Sequence, residues 1–368
     1  MYRGYLFRLY PNKHQTTQLL RTFGCVRFVY NYFLMLHITY YEATGEYLSK
    51  LDCMSNLPYL KSIFPFLKEC DSIALQQALH HLDDAFHNFF ERPGSGYPKY
   101  KKRYASRLTY STICVNDNIR IIDKKHIQIP KLGTVRCRIH RNVPSGYKLK
   151  SATLIREPSG DYFVSVLFEY DNQVEKITPK SFLGLDFSMP HLYVDSDGRF
   201  ADYPKFLRRS EDKLAKEQRK LSKMQFRSSN WYKQKRKVAR LHQKIRNQRR
   251  DFLHKLSFRL AENYDLIAIE DLDMHAMSQA LNFGKSVSDN GWGMFTAMLS
   301  YKMDERGKSL VKVDKWFPST KTCHRCGSIK PMPIGEDTYI CPECGMVFDR
   351  DHNAAINILN EGKRIYYS

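Results

Sequence analysis

Residues 323–355 read CHRCGSIKPMPIGEDTYICPECGMVFDRDHNAA, and this stretch decides how the rest of the chain is read. Cys323-His-Arg-Cys326 and Cys341-Pro-Glu-Cys344 are two Cys-x-x-Cys pairs, separated by the 14-residue loop 327–340. Two such turns at this separation close a tetrahedral Cys₄ zinc site. Four thiolate ligands leave no open coordination position, so the expected metal is structural and the segment is a zinc ribbon. Five residues after Cys344, Asp349-Arg-Asp351-His-Asn-Ala-Ala355 opens an amphipathic helix, expected from Asn353 to Leu359. An acidic turn entering a helix is a place where a hydrolytic metal can sit.

Two acids far upstream share that local design. Asp186 ends the apolar strand Phe182-Leu-Gly-Leu185, and Glu270 ends Leu266-Ile-Ala-Ile269. Acids at the ends of core strands sit on rigid supports, and neighbouring strands can bring them together. Carboxylates are the hard oxygen ligands that magnesium and manganese require. A pair of such ions about 3.5–4 Å apart supports phosphodiester hydrolysis by activating water and stabilising the leaving oxygen. The ordinary role of a lone Asp in such a place is a solvated strand end or a helix cap. Other acids lie close by: Asp271 and Asp273 beside Glu270, Asp349 beside Asp351, and Asp195 and Asp197 after Asp186. Strand alternation puts Glu270 and Asp271 on opposite faces, so only one of them can point into a shared site. Pattern alone leaves the choice open.

The chain has 368 residues, more than one typical domain. Lys and Arg total 59 against 38 Asp and Glu, a formal charge of +21 that points to a polyanionic partner, nucleic acid first. The densest basic run is Lys233, Lys235, Arg236, Lys237, Arg240, Lys244, Arg246, Arg249 and Arg250, with no acid between Trp231 and Arg250. Such a run reads as phosphate contact rather than a merely solvated helix face. No secretory apolar stretch opens the chain and no run of 18 apolar residues occurs, so no membrane role is expected and a reducing cytoplasm is. In that compartment paired cysteines are metal ligands rather than disulfides, and Cys25, Cys53, Cys70, Cys114 and Cys137 read as core.

The hydrophobic period changes along the chain. Residues 1–10 alternate like a strand; 14–42 carry Leu19, Leu20, Phe23, Val26, Val29 and Phe33 at helical spacing. Ser72 to Phe90 reads as a second helix whose exposed side offers Gln76, Gln77, His80 and His81, followed by a basic loop. Residues 106–172 read as antiparallel strands with a Pro-Ser-Gly-Asp hairpin turn, so strand 1–10 and these strands are expected to build one β-barrel around a helical insert. Beyond Lys180 come a buried strand, a hairpin at Asp195–Gly198, a long polar helical stretch 206–263 broken near 226–230, a second buried strand, a helix from Trp292 to Arg306, and a strand leading into the cysteines.

Together these motifs resemble TnpB, the family of transposon-encoded RNA-guided nucleases ancestral to type V CRISPR effectors. The resemblance rests on Gly184-Leu-Asp186, Ile269-Glu270-Asp-Leu, the paired cysteines with Gly345, and Asp349-Arg-Asp351-His-Asn353-Ala-Ala. Lys315-Trp-Phe-Pro-Ser-Thr-Lys-Thr-Cys323, Tyr10-Pro-Asn…Gln18 and Phe23-Gly-Cys-Val-Arg-Phe-Val-Tyr-Asn31 fit as well, so coverage runs end to end. One departure is Phe187-Ser-Met-Pro190, where many relatives carry a glycine-containing turn.

The resemblance implies an α+β multidomain protein. A wedge β-barrel (1–10 and 96–178) would be split by a helical recognition lobe (11–95). A RuvC-like nuclease of RNase H-type mixed sheet (179–316 and 349–368) would carry the inserted Cys₄ zinc ribbon (317–348). It selects Asp186, Glu270 and Asp351 as catalytic acids holding catalytic magnesium, with manganese able to substitute, and Cys323, Cys326, Cys341 and Cys344 as structural zinc ligands. It implies a guide RNA encoded at the element's end and a double-stranded DNA target beside a short motif read by the protein. Gln76, Gln77 and His80 would contact the target near that motif, and the basic run would hold nucleic-acid backbones. The expected function is RNA-guided DNA cleavage by two-metal hydrolysis, in the cytoplasm of a prokaryote and associated with its nucleoid. Competing readings are a nuclease-inactive RNA-guided repressor, which loss of the acids would mark, and a strand-joining transposase, for which no tyrosine with His-x-His is apparent.

Overall fold

The computed structural model describes residues 1–103, 107–171, 174–274, 277, 291–333 and 335–368. The chain forms two compact units, Met1–Asp171 and Asn172–Ser368. No described helix is long and apolar enough to cross a membrane.

In the first unit, strand β1 (Tyr2–Tyr10) leads into helix α1 (Lys13–Thr44), helix α2 (Lys50–Ile63), a 3₁₀ turn (Pro65–Glu69) and helix α3 (Ser72–Glu91). Strands β2 (Leu108–Ile113), β3 (Arg120–Asp123), β4 (His126–Ile129), β5 (Gly133–Arg138), β6 (Lys148–Arg156) and β7 (Tyr162–Glu169) follow. They join β1 in one antiparallel seven-stranded sheet of order β2-β6-β7-β1-β5-β4-β3. The first strand therefore pairs across the helical insert: Tyr5 lies opposite Val166 on β7 and Leu9 opposite Cys137 on β5. Alternation dictates this, since Tyr5, Phe7 and Leu9 are buried while their neighbours are not. Helix α1 begins at an Asn12/Gln15 capping box. The same Gln15 side chain donates to the Leu132 and Thr134 carbonyls, tying the helix start to the sheet. Helix α2 is absent from the hydrophobic-period reading, because Pro58 and the exposed apolar residues Leu51, Tyr59 and Ile63 blur its pattern. Its Ser49/Asp52 capping box was the available signal.

In the second unit, β8 (Phe182–Ser188) and β9 (Leu192–Asp195) form the expected hairpin, followed by helices α4 (Phe206–Ser222) and α5 (Ser229–Asn263). Then come β10 (Leu266–Glu270), helix α6 (Trp292–Asp304), β11 (Ser309–Val313), the short pair β12 (Thr338–Ile340) and β13 (Val347–Asp349), and helix α7 (Arg350–Tyr367). The main sheet has order β11-β10-β8-β9, with β11, β10 and β8 parallel and β9 antiparallel. Buried parallel strands read as near-continuous apolar runs, as central β8 and β10 do, while edge strand β11 is only partly buried.

Alternation divides the sheet into two faces. Leu183, Leu185, Ile267 and Ile269 pack with Leu253, Leu256, Phe295 and Leu299 of α5 and α6. Ala268 and Val313 pack with Ile358 of α7. Two glycines let α7 approach closely. A Cβ at Gly184 would overlap the Ala355 carbonyl oxygen and lie 2.8 Å from Leu359 Cβ, and one at Gly362 would overlap Ala268 Cβ. The helix runs to Tyr367, eight residues beyond the Leu359 end expected from its pattern.

Candidate functional site

Strand register places the first two acids side by side. Ile269 on β10 pairs with Leu185 on β8, so the next residues, Glu270 and Asp186, stand alongside at the carboxyl ends of two parallel strands. Both lie in phase with Gly184 and Ala268, on the face covered by α7. The crevice outside the carboxyl ends of the strands is the general location of ligand sites in open α/β sheets. Asp351 occupies the first turn of α7, whose N-cap is Asp349 accepting from the His352 N–H.

Electrostatics ties the three acids together. Burial, and then the charges of Glu270 and Asp351, push the Asp186 carboxyl well above the usual carboxylate range, opposed by Arg350 and by the Phe187 N–H. Burial also raises Glu270, opposed by a hydrogen bond from Ser319. Like charges sharing a buried site resist ionising together. The three carboxylates are not closed into one tight ligand set. Asp351 is turned to the Arg350 guanidinium, at 2.7 Å, and Glu270 to the Ser319 hydroxyl.

The neighbouring acids have other occupations. Asp271, just past the end of β10, pairs with Lys312 at 2.7 Å, both side chains exposed. Asp349 caps α7. Asp195 accepts from the Asp197 and Arg199 N–H groups and holds the hairpin turn, while Asp197 pairs with Arg199. Asp273 is exposed.

The four cysteines converge. The Sγ atoms of Cys323, Cys326, Cys341 and Cys344 all lie within 4.8 Å of one another, the one such ligand group among the described residues. Cys323 and Cys344 are 3.7 Å apart, and Cys326 and Cys341 3.5 Å. Zinc–sulfur bonds of about 2.3 Å in a tetrahedron require edges of roughly 3.8 Å, so the four thiols fit such an ion. The two turns are built alike. Gly327 and Gly345 sit at φ 77° and 66° and donate to the Cys323 and Cys341 carbonyls. Backbone N–H groups of Cys344 and Glu343 lower the Cys341 thiol to about 6, which favours the ligating thiolate.

Three further residues join the cysteine module to the acids, and the sequence reading missed them. Asn353, fully buried, donates to the Thr322 carbonyl and accepts from the His324 N–H. One turn later Asn357 donates to the carbonyls of Ser319 (2.8 Å) and Thr322 (2.6 Å). Ser319 in turn donates to Glu270. The available signal was the i, i+4 spacing of two asparagines on an otherwise apolar helix face.

The predicted nucleic-acid contacts lie on helix surfaces. Gln76 is exposed and Gln77 and His80 half-buried on α3, opposite buried Leu75, Ala78 and Leu79. On α5, Lys233, Arg236, Lys237, Arg240, Lys244, Arg246 and Arg250 are exposed, while Lys235 and Arg249 are half-buried. Lys235 lies 4.8 Å over the Trp231 ring. The opposite side of α5 buries Gln234, Val238 and Ile245, with Val238 and Ile245 packing on Leu214 of α4.

Comparison with known proteins gives three family matches. Residues 165–281 match the IS605 OrfB model described as "Probable transposase", and residues 292–358 the Cas12f1-like TNB domain. Residues 1–46 match the helix-turn-helix domain of IS605 OrfB; here that segment contains β1 and the single helix α1. A candidate RNA-guided DNA endonuclease of Streptomyces pristinaespiralis is 36% identical over 98% of this chain and 89% of its own. The candidate RNA-guided DNA endonuclease InsQ of Escherichia coli strain K12 is 31% identical over 99% of this chain and 93% of its own. Among solved structures, the protein in a Cas12f1–sgRNA–target DNA complex shares the fold with a TM-score of 0.57 at 11% identity, over 98% of this chain and 99% of that one.

Proposed function

The chain belongs to the TnpB (IS605 OrfB) family, and on that premise we propose that it is an RNA-guided DNA endonuclease that cuts beside a short target-adjacent motif. The observation that carries this reading is the meeting of Asp186, Glu270 and Asp351 from β8, β10 and α7 around one buried carboxyl. A guide RNA from the element's end supplies sequence specificity by pairing with the target strand, while the protein grips backbones.

The donor set suits magnesium, or manganese: three carboxylates, one of them buried and costly to ionise without a cation. Asp186, Glu270 and Asp351 would hold it, and when bound it supplies Lewis acidity toward the phosphodiester and acidifies water. The chain's own groups prepare the place. Ser319 orients Glu270, and Arg350 neutralises Asp351 until it is needed as a ligand. The Cys₄ cluster carries structural zinc and does no hydrolysis.

In this reading residues 1–10 and 96–178 are the wedge barrel and 11–95 the inserted recognition lobe. Residues 179–316 and 349–368 are the RuvC-like, RNase H-type nuclease, and 317–348 are the zinc ribbon. Gln76, Gln77 and His80 face the target near the adjacent motif. The α5 cations hold nucleic-acid phosphates, with the protein working on the prokaryotic nucleoid. A repressor without cleavage would be expected to lack the acids that this chain retains.

The test is to copurify the protein with its bound RNA, sequence that RNA, and assay cleavage of a matching duplex with magnesium. Asp186→Ala and Glu270→Ala should each abolish cutting while guided binding persists. Full cutting by both variants would overturn the site, and absence of any specific RNA would overturn the function.

A further inference from the structure

The first unit carries an aromatic ladder that the endonuclease reading does not use. Tyr41, at the end of α1, stacks on Tyr47 at 4.7 Å and 27°. Tyr47 meets Phe90 edge-on at 5.4 Å, Phe90 meets Phe89 at 5.1 Å, and Phe89 meets Tyr97 at 5.3 Å. The ladder is rooted in the core, since Tyr97 also packs on buried Phe86 at 5.7 Å. Its outer rungs remain open: Tyr41 is 46% exposed, and Tyr47 and Phe90 are each 56% exposed. Burial does not explain rings that contact one another and still face water.

A basic strip runs beside the ladder. Arg92, Lys99, Lys102 and Arg103 are exposed, whereas the Lys101 ammonium is turned inward, and no acid occurs from 92 to 103. The strip is fixed rather than loose. Asn31 of α1 donates to the Lys101 carbonyl at 3.0 Å and accepts from its N–H at 2.8 Å, and the Lys101 ammonium lies 3.8 Å over the Tyr30 ring. Flat, preorganised π-faces beside a row of cations are what an unpaired polynucleotide recognises, bases stacking and phosphates pairing. Three carboxylates, Glu42, Glu46 and Glu91, share this end of the helices. Beside a phosphate chain they are tolerable where they accept hydrogen bonds, and a ribose 2′-hydroxyl is such a donor that DNA lacks.

We propose that this face binds an unpaired stretch of RNA, with bases stacking on Tyr47 and Phe90 and phosphates on the strip at 92–103. The proposal rests on the RNA-partner part of the reading above, but its test uses no guide, target or cleavage, so the two can fail separately.

The probe is a synthetic eight-nucleotide single-stranded RNA carrying 2-aminopurine, added to the full-length protein without magnesium. Stacking should quench its fluorescence. The Tyr47→Ala/Phe90→Ala double variant should lose that quench and bind about tenfold more weakly or worse, on the scale of one or two lost stacks. Tyr47→Phe/Phe90→Tyr, which keeps the rings, should behave as the parent. A deoxy strand of the same sequence should bind several-fold more weakly. Unchanged quench and affinity in the alanine double variant would overturn the site, and equal affinity for DNA would overturn the assignment to RNA. Should the double variant lose helical signal, Tyr47→Trp in the parent gives the answer instead: its emission must be quenched by the RNA, and an unaffected emission refutes the stack.

Discussion

Gly184 on β8 lies directly against Ala355 on α7, with room for no side chain between them. Asp186 is two residues beyond the glycine and Asp351 four residues before the alanine. The close approach of strand and helix therefore sets how near the two carboxylates come.

Gly184→Ala should act on both stability and chemistry. The added methyl meets helix backbone, which cannot rotate aside, so a cost of about 1–3 kcal/mol is expected. Cleavage should fall further than stability alone explains, because α7 carries Asp351 away from Asp186. Gly24→Ala is the control: a methyl added there, inside α1, meets nothing within 4 Å, and it should stabilise by roughly 0.5–1 kcal/mol. Thermal melts and guided cleavage of both variants check the contrast.

Asn357→Ala should loosen Glu270 without touching it. The substitution leaves the Ser319 carbonyl without its donor and the Thr322 carbonyl with Asn353 alone, at a cost of about 1–3 kcal/mol. Ser319 then no longer holds its hydroxyl on Glu270. Chemical denaturation should show the loss, and the magnesium concentration for half-maximal cleavage should rise. Unchanged values for both would refute the positioning role.

Folded Asp186 keeps its proton to a higher pH than the same carboxyl does in the unfolded chain, whose ordinary value is 3.8. Unfolding above that value releases the proton, so this group's contribution to stability falls as pH rises toward the folded pKa. Raised Glu270 has the same sign. Without magnesium, Asp186→Asn should therefore be more stable than the parent near pH 8, by about 1–2 kcal/mol. The difference should vanish near pH 4, and magnesium should stabilise the parent much more than the variant. Melting curves across pH with and without magnesium measure this.

Cys341→Ser should lower bound zinc below one ion per chain and loosen the start of α7. The linkage is structural: Asn353 and Asn357 attach that helix to residues 319–324, which lead into the first cysteine turn. Amides of the first α7 turns should exchange faster with deuterium while those of β8 and β10 stay protected. Unchanged α7 exchange in zinc-depleted protein would separate ribbon from helix.

Replacing Lys233, Arg236, Lys237 and Arg240 together with Gln should weaken nucleic-acid binding regardless of sequence. Each lost phosphate contact flattens the plot of log affinity against log salt by roughly 0.7–0.9. These four side chains are exposed, so the melting temperature should barely move. An unchanged salt slope would show that this face of α5 lies outside the nucleic-acid path.

Much of the architecture is legible in the sequence. Strand β1, helices α1 and α3, the antiparallel run in 106–172 and the break between α4 and α5 follow from hydrophobic period and turn residues. Helix α2 was not legible by period, because Pro58 and exposed Leu51, Tyr59 and Ile63 obscure the helical spacing of its three buried residues, Cys53, Leu57 and Leu60. Among the acids, alternation separated Glu270 from Asp271 but could not say which of the two faces a partner. That depended on which face α7 covers, a long-range packing outcome. The i, i+4 spacing of Asn353 and Asn357 marked a polar stripe on α7, but not its partner: a hydrogen bond between Asn357 and Ser319, 38 positions apart, has no sequence period.

By itself the sequence determined the four-thiol module and the apolar strands, because Cys-x-x-Cys turns and strand alternation are set by residues within a few positions. Family motifs nominated Asp186, Glu270 and Asp351. Only the tertiary structure decided that Glu270 stands beside Asp186 and that Asp351 is brought to them. Those relations are fixed by parallel strand register, by the space left at Gly184 and Gly362, and by buried asparagine hydrogen bonds. Each of these forces acts between segments remote in the chain, where only packing in three dimensions can select a partner.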